Sequence, residues 1–196
     1  MLQDFALFFE LGWQHILDIH GHDHILFVVA LCTLYTIKDW KNILILVTAF
    51  TIGHSITLAL STFEKLRTSS GLIEFLIPIT IAATAISNII SKKRGPSFAR
   101  YNYAVALIFG LVHGMGFSNY LKSLLGRSTD VINQLLAFNI GLEFGQIIII
   151  LVFLLVSYLF VEVIKLPAKR WSFVLSIFIL TIAIFMASQR FESILN

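Results

Sequence analysis

Side chains that could bind a metal ion are concentrated near the start of the chain. Four of the six histidines and two aspartates fall within ten residues: His15, Asp18, His20, His22, Asp23 and His24. Imidazole and carboxylate groups together form a ligand set that suits zinc, nickel, cobalt or iron. A strongly apolar run, Ile25 to Leu31, follows directly. The pattern therefore predicts a transition-metal site where the chain enters a membrane.

The two remaining histidines, His54 and His113, lie inside long apolar segments. Glu143 lies in a third such segment, and with Asn139 and Gln146 it forms a stripe at i, i+4 and i+7 that should face the interior of a helical bundle. An ionised carboxylate at that depth is costly, so Glu143 needs a cation, hydrogen-bond donors or a proton. Counted along their segments at about 1.5 Å per residue, His54, His113 and Glu143 fall at similar depths. They are predicted to form the floor of the same site.

Each of these residues also has an ordinary explanation. A histidine inside a membrane helix can be bonded to a hydroxyl or a carbonyl group, which would account for His54 and His113 without a metal. Asp23 could cap the N-terminus of a helix. His20 and His22 flank a glycine, where solvated loop residues are common.

The composition excludes an ordinary soluble domain. Of the 196 residues 58% are apolar and 13% are charged, and the mean hydropathy is +0.89, whereas soluble proteins average roughly 25% charged residues. The pI near 9.1 reflects lysine and arginine in short loops rather than affinity for nucleic acid. The single cysteine, Cys32, excludes a disulfide framework and a paired-cysteine zinc site. We therefore expect one all-α domain, residues 1–196, that forms a polytopic transmembrane bundle.

Apolar runs of membrane-crossing length divide the chain into about six predicted transmembrane helices. An interfacial or half-inserted helix precedes them at residues 3–20. The fifth run is longer than a bilayer requires, which predicts a tilted or broken helix. Gly110 and Gly114 have the spacing that lets two helix backbones approach closely. The predicted spans cover about residues 22–37, 42–63, 71–90, 101–122, 131–163 and 172–187.

The distribution of basic residues predicts the orientation. The loops expected on one side hold nine lysines and arginines, against five on the other. The richer side should be cytoplasmic. Six spans then place both termini on the outer side.

Five stretches of the sequence resemble the shorter branch of the HupE/UreJ family, which comprises hydrogenase- and urease-accessory membrane proteins. These stretches are HILDIHGHDHILFVVAL at 15–31, TAFTIGHSITLAL at 48–60, GLIEFLIPITIAATAISN at 71–88, FGLVHGMGFSNYL at 109–121 and FNIGLEFGQ at 138–146. The resemblance implies a multi-pass protein of the bacterial cytoplasmic (inner) membrane. It also implies functional positions at His15, Asp18, Asp23, His24, His54, Ser55, Glu74, Asn88, His113 and Glu143. His20 is not one of the motif positions and His22 departs from the motif, so we expect neither to bind metal.

The first functional hypothesis is a permease, because longer members of the family are regarded as nickel or cobalt permeases. Its entry site would hold the ligands near the N-terminus, and its deeper site would hold His54, His113 and Glu143. The proposed metal ligands are His15, Asp18, Asp23, His24, His54 and His113. The expected cargo or cofactor is a divalent transition metal, zinc or nickel. The expected partners are membrane lipids and the metal ion, and they could include a second copy of the chain or a metalloenzyme-maturation protein.

The alternative is a membrane-embedded zinc hydrolase that acts on a lipid or lipid-linked substrate from the outer side. Three protein ligands would leave one position for a water molecule, whose pKa zinc lowers to about 7. Asp23 or Glu143 would act as the general base, and Ser55 would serve as a ligand or as an oxyanion donor. A third possibility is a sensor or structural clamp, in which a metal holds the bundle together without turnover.

Overall fold

Every regular element in the described part of the chain is a helix. The computed structural model describes residues 2–19, 21–66, 69–90, 96–125 and 130–195. A 3-10 turn precedes the third α-helix at Ile37–Asp39, and a π-helical turn extends the sixth at Leu159–Val163. The α-helices are α1 (Leu2–Leu17), α2 (Asp23–Cys32), α3 (Trp40–Thr62), α4 (Ser70–Ile90), α5 (Pro96–Leu125), α6 (Val131–Tyr158) and α7 (Ala168–Leu195).

Four of these helical segments are long and apolar enough to cross a membrane. They cover Ile37–Thr62, Ser70–Ile90, Val131–Val163 and Ala168–Phe191. They correspond to the predicted spans at about 42–63, 71–90, 131–163 and 172–187. The predicted total of about six spans is not confirmed by length and composition alone. Helix α5 carries tyrosines, an asparagine and His113 along its length, and α2 is short.

The predicted full span over residues 22–37 is wrong in length. Helix α2 has ten residues, or about 15 Å at 1.5 Å per residue, whereas a crossing needs about 20 residues. Thr33 donates its hydroxyl hydrogen to the Val29 carbonyl oxygen at 2.7 Å at the end of the helix. The Asp39 carboxylate then accepts hydrogen bonds from the Thr36 backbone N–H at 3.0 Å and from the Thr36 hydroxyl at 2.9 Å. These bonds fix a 3-10 turn that separates α2 from α3.

Helices α1 and α2 run one after the other along α6, in the same direction. The α1 backbone packs against glycines of α6, with Phe9 at Gly141 and Trp13 at Gly145. Further along, Val28 and Cys32 of α2 belong to the same apolar cluster as Ile149 and Phe153 of α6. Thr33 and Leu154 then line a common pocket. The two short helices therefore resemble the two halves of one broken helix that runs beside α6.

The backbones of α3 and α5 lie in direct contact, as the spacing of two glycines predicts. Gly110 leaves no room for a Cβ atom because the Phe50 carbonyl oxygen occupies that space, and the His54 carbonyl oxygen does the same at Gly114. Successive turns of the two helices match in order, so α3 and α5 are parallel. The prediction of close approach at Gly110 and Gly114 is confirmed. This contact fixes the height of His54 relative to α5.

Helices α4 and α7 form an antiparallel pair on the other side of the core. The rings of Phe75 and Phe191 lie 5.8 Å apart. The Arg190 Nη1 atom donates to the Glu74 carbonyl oxygen at 3.0 Å. The start of α4 is therefore next to the end of α7, close to the beginning of α2.

Candidate metal centre

Three histidines from three different helices meet in the interior. His15 comes from the last turn of α1, His24 from the first turn of α2 and His54 from the middle of α3. One ligand atom of each ring lies within 4.8 Å of the others. His24 and His54 are buried, and His15 is half-buried. The break between α1 and α2 allows two of these rings to face each other, with centroids 4.5 Å apart.

His113 of α5 adjoins this group. Its ring centroid lies 5.3 Å from that of His24. Its Nδ1 atom lies 2.9 Å from the Phe109 carbonyl oxygen of the preceding helical turn. A carbonyl oxygen can only accept a hydrogen bond, so Nδ1 carries the proton and the Nε2 lone pair remains available. The four rings, His15, His24, His54 and His113, are referred to below as the histidine cluster.

The Nε2 atoms of the histidine cluster are buried, and within the described residues they have no hydrogen-bond partner. The Nδ1 atom of His54 is in the same situation. Buried polar atoms in folded proteins nearly always have a partner, so five such nitrogens in one place require an explanation. A divalent transition metal supplies it, because neutral imidazole nitrogen is among its preferred ligands. The donor set therefore fits the metal that the sequence predicts.

Asp23 orients His24 from behind. Its Oδ1 atom lies 3.2 Å from the His24 Nδ1 atom and accepts the backbone N–H of the same residue at 3.1 Å. Its Oδ2 atom lies 3.3 Å from Arg190 of α7. A carboxylate bonded to the distal nitrogen of a metal-binding histidine fixes the tautomer of the ring and raises its basicity. The structure thus places Asp23, predicted as a ligand or a base, between His24 and Arg190.

Arg190 is a residue that the sequence analysis missed as part of the site. Both its terminal nitrogens reach Asp23, and one also reaches the Glu74 carbonyl oxygen. It is one of the few charged residues of α7 and lies near the end of an otherwise apolar run. That isolated position, at the same end of the bundle as Asp23, is the signal that could have identified it.

The predicted ligand Asp18 and the predicted bystander His22 both lie outside the histidine cluster. Asp18 is exposed just beyond the end of α1, and His22 is exposed just before α2. His20, which we expect to be a bystander, lies outside the described residues. Residues three apart in sequence, such as His15 and Asp18, share a face only within one continuous helix. Because α1 ends at Leu17, the two side chains are not held on a common helical face.

The remaining candidate residues form hydrogen bonds elsewhere. The Glu143 carboxylate accepts a hydrogen bond from the Thr48 hydroxyl at 2.7 Å. Three residues further on, the Gln146 carbonyl oxygen accepts one from the Thr51 hydroxyl at 2.8 Å. Ser55 donates its hydroxyl hydrogen to the Thr51 backbone carbonyl oxygen at 2.7 Å. Glu143, one of the two predicted catalytic bases, and Ser55, the predicted oxyanion donor, therefore each form a hydrogen bond with a threonine of helix α3.

Phenylalanine side chains surround the cluster. The Phe117 ring is centred 3.9 Å from that of His15, and the Phe27 ring is centred 5.0 Å from that of His113. Phe50 and Phe138 complete the shell beside His54, at 6.0 and 6.4 Å. An apolar shell limits access of water to a metal and strengthens every electrostatic interaction within it.

The apolar helices are consistent with a multi-pass membrane protein, and the buried imidazoles form a candidate metal centre within it. The model of the HupE / UreJ protein family matches residues 1–190, and the chain therefore belongs to the HupE/UreJ family. This confirms the resemblance found in the sequence. No curated protein and no solved structure matches the chain.

Proposed function

We propose that this protein binds a divalent transition-metal ion at the histidine cluster and carries it inward across the bacterial cytoplasmic membrane. Nickel or cobalt is the proposed cargo, with zinc as the competing ion. The observation that carries the proposal is the convergence of four buried Nε2 atoms, from four helices, that have no hydrogen-bond partner in the described part of the chain. Imidazole nitrogen binds these ions in preference to magnesium or calcium.

The interrupted pair α1 and α2 supports transport over a static clamp. Together the two helices are long enough for one crossing, and with α3 to α7 they make six crossings with both termini outside. In many transporters the ion-binding site lies where a membrane helix is broken. His15 and His24 stand on the two sides of such a break. A relative movement of the two half-helices would change the distance between two ligands of the ion.

The hydrolase alternative receives no support from the family match. One of its two candidate bases, Glu143, bonds to Thr48, and its oxyanion donor, Ser55, bonds to the Thr51 carbonyl oxygen. The other candidate base, Asp23, is bonded to His24 and Arg190. We therefore retain the permease as the proposed function.

Metal analysis of the purified protein tests the first half of the proposal. Protein with intact histidines should retain nickel, cobalt or zinc after removal of free ions, and the double variant His24→Ala, His54→Ala should retain none. His22→Ala is the matched control, because His22 is an exposed histidine only two residues from His24. Full metal content in the double variant would contradict the metal site.

Uptake by the reconstituted protein tests the second half. Radioactive nickel should enter proteoliposomes that contain the parent chain or His22→Ala, and not those that contain His54→Ala. Metal binding without uptake under any imposed gradient would indicate a clamp or sensor instead of a permease.

A further inference from the structure

A cavity with a partly polar lining lies in the half of the bundle away from the histidine cluster. It has a volume of about 180 Å³ and lies between α4 and α5, with Leu31 of α2 at its back. Four of its lining residues are polar but uncharged: Thr84, Ser87, Asn88 and Asn102. The exposed Tyr101 lines it as well, so the cavity reaches the end of the bundle where α4 ends and α5 begins.

The polar lining favours water in this cavity over lipid. Hydroxyl and amide groups that face hydrocarbon without partners are costly. Three of these groups are partly satisfied by the protein. Thr84 donates to the Thr80 carbonyl oxygen, Asn88 donates to the Ala30 carbonyl oxygen, and Asn102 donates to the Tyr35 hydroxyl oxygen. Their remaining acceptor capacity needs a donor. A volume of about 180 Å³ holds a cluster of waters, because roughly 10–15 Å³ suffices for one.

Two phenylalanines separate this cavity from the histidine cluster. Phe109 is one of the residues that line the cavity, and its backbone carbonyl oxygen accepts a hydrogen bond from His113. Phe27 is fully buried, and its ring is centred 5.7 Å from that of Phe109 and 5.0 Å from that of His113. The rings of Phe109 and Phe27 therefore lie between the cavity and the histidine cluster.

On the basis of the proposed transport function, we propose that this cavity is the inner, water-filled vestibule of the ion path, and that Phe27 and Phe109 form the barrier at its outer end. Neutral oxygen ligands hold a nickel-type ion more weakly than imidazoles do. An ion that passes the barrier therefore exchanges imidazole for water and weak oxygen ligands. Weak binding on the exit side is what release requires.

Cysteine accessibility tests the proposal. Ser87→Cys places a thiol on the cavity wall, and the adjacent Ile86→Cys places one at the same depth on the exposed apolar face of α4. The native Cys32 is fully buried, and the unaltered chain measures its background. Each variant is treated with a charged, membrane-impermeant thiol reagent in inside-out and in right-side-out vesicles.

Ser87→Cys should be labelled from the cytoplasmic side roughly tenfold faster than Ile86→Cys, because a thiol in water forms the reactive thiolate far more readily than one in apolar surroundings. It should not be labelled from the outer side, where the aromatic barrier intervenes. Equal rates for the two variants, or labelling of Ser87→Cys by a lipid-soluble reagent alone, would show that lipid fills the cavity and would overturn the proposal. Labelling of Ser87→Cys from the outer side would contradict the proposal that Phe27 and Phe109 close the outer end of the cavity.

The metal content of the same variants separates this inference from the proposed function. Both should retain the metal, because neither residue belongs to the histidine cluster. If metal is retained and Ser87→Cys is unlabelled from the cytoplasmic side, the vestibule is refuted and the metal site stands. If the parent chain binds no metal, the proposed function fails whatever the labelling.

Discussion

The Nδ1 atom of His24 lies 3.2 Å from the Oδ1 atom of Asp23, whose other oxygen lies 3.3 Å from Arg190. These three residues connect α2 to α7. Because Asp23 occupies the Nδ1 side of the His24 ring, the Nε2 atom is the one available to a metal. Asp23 is thus placed to orient the His24 ring rather than to bind the metal itself.

Asp23→Asn should weaken metal binding by about 10–100-fold, the usual effect of losing the carboxylate behind a ligating histidine. The amide keeps the shape of the side chain but removes the negative charge that makes the imidazole more basic. The dissociation constant of the purified protein for nickel or zinc measures the effect. Asp18→Asn is the control, because Asp18 is exposed beyond the end of α1, and its affinity should stay close to that of the parent. A larger loss in Asp18→Asn than in Asp23→Asn would reverse the roles assigned to the two residues.

His54→Leu should separate the stability of the bundle from its affinity for metal. His54 is fully buried, and neither ring nitrogen has a hydrogen-bond partner among the residues that the structure describes. An unpaired buried polar group costs about 1–3 kcal/mol. The metal-free variant should therefore unfold at a temperature no lower than that of the metal-free parent.

Metal should raise the unfolding temperature of the parent and leave that of His54→Leu unchanged. A ligand present at 100 times its dissociation constant stabilises by about 2.7 kcal/mol, enough to be measured in detergent solution. His22→Leu should keep the full increase. An undiminished increase in His54→Leu would remove His54 from the site.

Gly114→Ala should damage both the packing of α3 on α5 and the metal site. The new methyl group would collide with the His54 carbonyl oxygen and the Thr57 hydroxyl, and such overpacking typically costs about 1–3 kcal/mol. His113 and His54 would be pushed apart, so metal content should fall together with the unfolding temperature. Gly116→Ala is the matched control two residues away, because its methyl group would meet only the Ile77 Cδ1 atom at 3.3 Å and the Ile73 Cγ2 atom at 3.5 Å. Equal effects of the two variants would argue against the backbone contact.

Glu143→Gln should leave the metal content intact. The Glu143 Oε1 atom accepts the Thr48 hydroxyl hydrogen at 2.7 Å, and a glutamine carbonyl oxygen can do the same. Thr48→Val removes the donor and should lower the free energy of unfolding by about 0.5–1.5 kcal/mol, again without loss of metal. Elemental analysis of both variants decides the point, and metal loss in Glu143→Gln would add this residue to the site.

The sequence was sufficient to predict which histidines come together. His15, His24, His54 and His113 stand out because imidazoles inside apolar segments need partners, and counting residues along each segment gives their depth. Helix bounds were predicted to within a few residues for α3 and α4, since long apolar runs leave little choice. A close helix contact at Gly110 and Gly114 was also predictable, because small residues at this spacing let two helix backbones approach, but the sequence did not identify α3 as the partner.

The roles of the acidic and basic residues could not be predicted in the same way. Whether Asp18 faces the cluster depends on α1 ending at Leu17, one residue earlier, and periodicity does not locate helix ends that precisely. The association of Arg190 with Asp23 spans 167 positions in the chain and depends on how α4 and α7 pack. Glu143 was predicted at the depth of His54, but its carboxylate bonds to Thr48, six residues or about 9 Å before His54 along α3. That position depends on the crossing of α3 and α6, which the sequence does not give.

The packing of α1 along α6 sets the order in which the site can be assembled. His15 is the first of the four histidines to leave the ribosome, yet the helix that holds it in place, Val131–Tyr158, is the last but one to be made. While α2, α3 and α5 are being inserted, His24, His54 and His113 can already approach one another. The earliest ligand to be synthesised is thus the last to be positioned, and a chain interrupted before α6 presents an incomplete centre.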